Sequence, residues 1–126
     1  MPHTLKYNPD MQMIEANVFG EVSLNEVGDT IAELVVMLKE NDCSLMLNNY
    51  LEASIKLSTT EIYRLPSIIA EIFVSSGVNV HRLKRAFVVK NDLEDFKFFE
   101  VVALNRGQNI RIFHNIDEAR NWLLEK

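Results

Sequence analysis

The stretch RAFVVKNDLEDFKFFEVVALNRGQNIRIF, residues 85–113, reads as strand, helix, strand. Arg85-Ala86-Phe87-Val88-Val89 is a short oily run of the kind buried in parallel sheets. Asn91 followed by Glu94 gives an N-cap pattern, and Asp92 and Asp95 suit the positive end of a helix dipole. Phe96, Phe99, Val102 and Ala103 then fall on one face at helical spacing. Phe98 falls off that face, which makes it a candidate contact for a partner. Arg106-Gly107 closes the helix with a cation in its last turn and a glycine beyond it, and Ile110-Arg111-Ile112-Phe113 is the second strand. Two strands joined through a helix lie parallel in one sheet, so the stretch predicts an α/β fold.

Working outward, the same alternation of periods repeats. Toward the C-terminus, Asn115 and Glu118 open a further helix with Ile116, Ala119, Trp122 and Leu123 facing inward. Upstream, Ser58 and Glu61 form a capping box, flanked by Leu57 and Ile62 as a hydrophobic staple. Pro66 follows too deep for an uninterrupted helix, so two helical pieces are expected, at 59–64 and 67–75, closed by Gly77. Leu45-Met46-Leu47 reads as a buried strand running into Asn48, with an irregular loop at 49–57. Ser23 and Glu26 form another capping box, and Leu24, Val27, Ile31, Leu34, Val35 and Leu38 make one stripe of a helix over 24–40, stopped by Asn41-Asp42. Residues 4–7 and 11–19 read as strands turned at Asn8-Pro9-Asp10.

The expected order is β-β-α-β-α-β-α-β-α. This is a mixed five-stranded sheet, an N-terminal hairpin followed by parallel strands, under about four helices. At 126 residues with no linker or repeat, positions 1–126 are expected to form one domain. The chain is 48% hydrophobic and 25% charged, which excludes disorder. A net charge of −5 argues against general nucleic-acid binding. The single cysteine, Cys43, has no disulfide partner within the chain and suits a reducing cytoplasm as a half-buried residue at a helix end. The opening Met-Pro-His-Thr-Leu-Lys-Tyr lacks the basic and apolar regions of a signal peptide, and no apolar run is long enough for a membrane span.

Three segments together carry a family resemblance. They are the hairpin leading into Gly20-Glu21-Val22-Ser23, the run from Leu57-Ser58-Thr59-Thr60-Glu61 to Pro66, and the run from Asp95 through Arg111-Ile112-Phe113 to Trp122-Leu123. Over nearly its whole length the chain resembles the STAS superfamily, in its SpoIIAA-like branch. That resemblance implies a bacterial cytoplasmic protein, non-enzymatic, that acts as a regulatory protein-interaction module. Anti-sigma-factor antagonists of this superfamily carry Asp-Ser-x-Gly at a helix N-terminus, with the serine phosphorylated. Leu57-Ser58-Thr59-Thr60 takes the matching place; it keeps the hydroxyl but has neither the Asp nor the Gly.

Ser58, Thr59 and Thr60 are therefore the candidate regulatory or ligand-contacting residues, since a phosphate there would meet orphan amides and the dipole. The plainer role of Ser58 is a cap. His81, Arg82, Lys84 and Arg85 form the one basic cluster, with His81, Arg82 and Lys84, together with Phe98, as candidate contacts for an acidic partner or lipid headgroup. The histidines are scattered, so no metal site is expected, and no cofactor motif or catalytic constellation is present. The alternative reading is a protein that binds a small amphipathic ligand or lipid at a membrane surface, since the fold resembles the CRAL-TRIO lipid-transfer class in outline. There a helix interrupted at Pro66 would serve as a lid, and Met37 and Met46 as adaptable lining. A homodimer is compatible with either reading.

Overall fold

The computed structural model describes residues 3–90 and 94–125. Strands β1 (His3–Asn8), β2 (Met13–Val22), β3 (Leu45–Ile55), β4 (Lys84–Val88) and β5 (Asn109–Phe113) alternate after the hairpin with helices α1 (Leu24–Asn41), α2 (Thr59–Ser75), α3 (Glu94–Asn105) and α4 (Ile116–Leu124). A 3-10 turn at Val80–Arg82 precedes β4. The sheet order is β1-β2-β3-β4-β5; β1 is antiparallel to β2, and every later pair is parallel. This is the mixed α/β sheet that the periodicity predicts.

The hairpin follows from Asn8. Its Oδ1 accepts from the backbone N–H of Asp10 at 3.1 Å and of Met11 at 3.2 Å, so the side chain substitutes for a backbone turn. Two strands exceed their expected bounds. β2 continues to Val22, and β3 runs to Ile55, so the segment expected as an irregular loop at 49–57 is mostly strand. The reason is a bulge. Asn17 pairs with Asn49, but the next pair is Phe19 with Glu52, which leaves one extra residue on β3. Met46 and Tyr50 face one layer before the bulge, Ala53 and Ile55 face it after, and Leu47 and Leu51 face the other layer. The change of parity hides the strand from any period-2 reading.

Of the two expected capping boxes, one forms and one does not. The Ser58 box forms in full: the N–H of Glu61 donates to Ser58 Oγ at 3.1 Å, and the N–H of Ser58 donates to Glu61 Oε1 at 2.9 Å. Ser23 does hold the N-cap position of α1, but its side chain makes no cap bond, and Glu26 has a carboxylate oxygen buried without a partner. The expected break at Pro66 does not occur, and α2 is one helix of 17 residues. Proline removes one rung and costs about 3 kcal/mol in an isolated helix. Here Pro66 is fully buried in line with Ile62, Leu65, Ile69 and Phe73, and that packing offsets the lost rung.

The sheet is covered unevenly. The layer of α1, α2 and α3 closes over the face that carries Ile14, Val18, Met46 and Phe87, and forms the main core. α4 alone covers the other face, where Ala119 and Leu123 meet Met13, Leu47, Ala86 and Val88. Arg120 adds an ion pair from α4 to Glu15 of β2 at 3.6 Å. The predicted Asn91 cap of α3 and the side chains of Phe96 and Phe98 lie outside the described residues. On the same helix Phe99 and Ala103 are buried as expected.

Candidate functional site

Between α1, α2 and the sheet the main core is incompletely filled. A cavity of about 50 Å³ remains, walled by Ile31 and Leu34 of α1 and by Leu65, Ile69 and Phe73 of α2, and floored by Met46, Asn48, Tyr50 and Phe87. It extends to the carboxyl ends of the parallel strands, where Val22 closes β2, Ile55 closes β3 and Val89 follows β4. The lining is apolar almost throughout. Two of its neutral polar members are engaged: Thr30 Oγ1 donates to the Glu26 carbonyl at 2.8 Å, and Asn48 Nδ2 to the Ala86 carbonyl at 3.2 Å.

The exception is Arg85, the one charged residue of that lining among the described residues. It is 1% exposed, and no described carboxylate pairs with it. Its Nη2 donates to Gln108 Oε1, and Gln108 in turn donates through Nε2 to the Pro66 carbonyl at 3.0 Å. Its guanidinium carbon stands 5.5 Å from the centre of the Phe73 ring, a cation–π contact, and its Nε is buried with no partner. Burial pulls the guanidinium down to about 10, still far above neutral pH, so the charge persists. Burial also pushes the Tyr50 phenol up to about 12, which keeps the floor neutral.

The residues singled out from sequence lie in three separate places. Ser58, Thr59 and Thr60 are exposed on the first turn of α2, directly after Leu57, which lines the cavity. Ser58 Oγ is committed to the capping box. The basic cluster does not converge. His81 and Arg82 are exposed, and His81 Nδ1 bonds the Gly107 carbonyl at 3.1 Å. Lys84 points to the opposite face of the sheet, where its ammonium lies 4.7 Å above the Trp122 ring and donates to the carbonyls of Trp122, Leu123 and Glu125 at the end of α4. Arg85 points the other way, into the cavity. The side chain of Phe98 lies outside the described residues. Met46 lines the cavity, whereas Met37 sits beside His3 and Leu5 at a surface hollow. Cys43 is half-buried just after α1, and burial pushes its thiol up. No group of three or more potential metal ligands occurs among the described residues.

Sequence reasoning missed Arg85, Gln108 and Tyr50 as one site. A signal for Arg85 existed. It shares the parity of Phe87 in β4 and of Val89 just after it, so the alternation already placed it on the apolar face. For Gln108, two residues before an oily strand and following a glycine, the sequence carried no signal.

No family model matches the chain, and no curated protein matches it. Among solved structures it is similar to an uncharacterised protein from the DUF3478 family with a SpoIIAA-like fold, from Shewanella loihica PV-4. The TM-score is 0.60 at 13% sequence identity, and the match covers 96% of this chain and 91% of that one. The chain therefore has a SpoIIAA-like fold.

Proposed function

We propose that this chain is a non-catalytic binding module that takes a small amphipathic ligand into the cavity behind α2. The observation that carries the reading is the unfilled apolar space at the carboxyl ends of the parallel strands, with a single charged group in its wall among the described residues. Well-packed cores hold few voids of this kind, and an apolar space is a poor home for water. An apolar cavity of about 150 Å³ takes up benzene. At about 50 Å³ the cavity suits a smaller molecule, or a short chain for which α2 shifts outward. Native mass spectrometry of protein purified without detergent, before and after addition of 1-butanol and sodium butyrate, tests this. A bound mass of either origin supports it; a bare protein that takes up neither overturns it.

A second reading, a regulatory protein-interaction module of the STAS type, is favoured by the SpoIIAA-like fold and by the accessible first turn of α2. Ser58, Thr59 and Thr60 stand there beside a residue of the cavity wall, so a partner could read both together. Pull-downs from the native host with wild type, Ser58→Asp and Thr59→Glu test it. A partner lost or gained in either variant supports a switch at that turn, and identical partner sets remove it. Contact of His81 and Arg82 with anionic lipid is tested by liposome flotation at low and high salt, since an electrostatic contact weakens with salt. No helix among the described residues is long and apolar enough to cross a membrane.

A further inference from the structure

Resting on the cavity reading, we infer that the ligand is a monocarboxylate with a short apolar chain, and that Arg85 is its counter-ion. An isolated charge inside a protein is costly unless it is paired and fully hydrogen-bonded. Arg85 is 1% exposed, it faces an apolar cavity, and its Nε has no acceptor. Gln108 satisfies Nη2 but brings no negative charge, and it is itself fixed by the Pro66 carbonyl. Among the described residues the guanidinium is therefore held in place by neutral groups and has no anionic partner. A carboxylate oxygen entering the cavity accepts from Nε and neutralises the charge, while the chain lies along Ile69, Phe87 and Met46.

The charge balance selects the anion. One guanidinium neutralises one charge, which a carboxylate carries. A phosphate monoester carries about −1.5 to −2 at neutral pH and would leave excess charge in an apolar wall. An amine is repelled, and an alcohol fills the space but leaves the cation unbalanced.

The experiment compares 1-butanol, butylammonium and butyrate, which share a chain and differ in head group, by isothermal titration calorimetry at neutral pH, with hexanoate and octanoate as longer acids. Butyrate or one of the longer acids is expected to bind at least tenfold more tightly than butanol, and butylammonium not at all. In Arg85→Met that preference is expected to vanish, and in Arg85→Lys to persist in weakened form. The nitrogen–proton resonance of Arg85 Nε is expected to shift on adding the acid and to stay in place with butanol, a readout that needs no variant. Equal binding of butyrate and butanol to the wild type overturns the anion and leaves the cavity reading standing. Binding of the acid with no movement of the Arg85 resonance overturns Arg85 as the counter-ion. Absence of binding by every probe overturns both.

Discussion

Arg85 carries two consequences that can be measured apart from any ligand. Removing a buried, unpaired cation relieves a desolvation cost of several kcal/mol, while leaving Gln108 Oε1 unpaired costs about 1–3 kcal/mol. Arg85→Met is therefore expected to be as stable as the wild type or up to about 2 kcal/mol more stable in urea melts. The difference should hold flat from pH 5 to 9, because a group that titrates near 10 is charged throughout that range. A loss of more than about 2 kcal/mol would mean that the charge has an anionic partner in the fold. Tyr50 is tested by alkaline titration. With its phenol held up to about 12, the native state keeps a proton that the unfolded chain loses near 10, so stability falls as pH rises between those values, by up to about 2.7 kcal/mol. Of the 3 tyrosines, one should ionise late in phenolate absorbance at 295 nm, and Tyr50→Phe should abolish that late step. The site was only partly legible in the sequence because its residues become neighbours through packing. Alternation told which way Arg85 points, but nothing local told that Gln108 and the Pro66 carbonyl meet it there.

Among the elements, the helix starts give the sharpest contrast. Ser58→Ala removes the hydroxyl that accepts from the Glu61 N–H, leaves the backbone bond to Glu61 Oε1 in place, and should cost about 1 kcal/mol, whereas Ser23→Ala removes a hydroxyl that makes no cap bond and should change stability by a few tenths of a kcal/mol at most. Equal losses at the two positions would contradict the difference in geometry. Both serines present the same S-x-x-E pattern, so the sequence could not tell them apart; what separates them is that Glu26 is drawn partly into the protein. The same limit explains Pro66 and β3. Proline predicts a break from local cost alone, and the break is cancelled by burial on one face of α2. The second half of β3 reads as a loop because its bulge resets the alternation partway along. Elements with an unbroken period, such as α1 and β5, fell within a residue of where the pattern placed them, and α4 starts directly after the expected Asn115 cap. The identity and number of the elements were legible for that reason.

At the scale of the molecule, the sheet is a row with β3 at its centre and β1 and β5 at its edges. β3 and β4 are covered on both faces, whereas β1 has one neighbouring strand and α1 beside it. Native-state hydrogen exchange should find the slowest amides at Met46, Leu47 and Ala86, and markedly faster exchange along β1. Equal protection of β1 and β3 would mean that the free edge of β1 is covered by something, a second copy of the chain included. The row has a further property. Its spatial order is also its order along the chain, so every strand is laid against the one that precedes it and no strand has to be inserted between two already paired. During synthesis each newly emerged strand meets a template already waiting. Such a protein can assemble progressively at the ribosome, with its growing edge and the outer edge of β1 open to capture by other nascent chains.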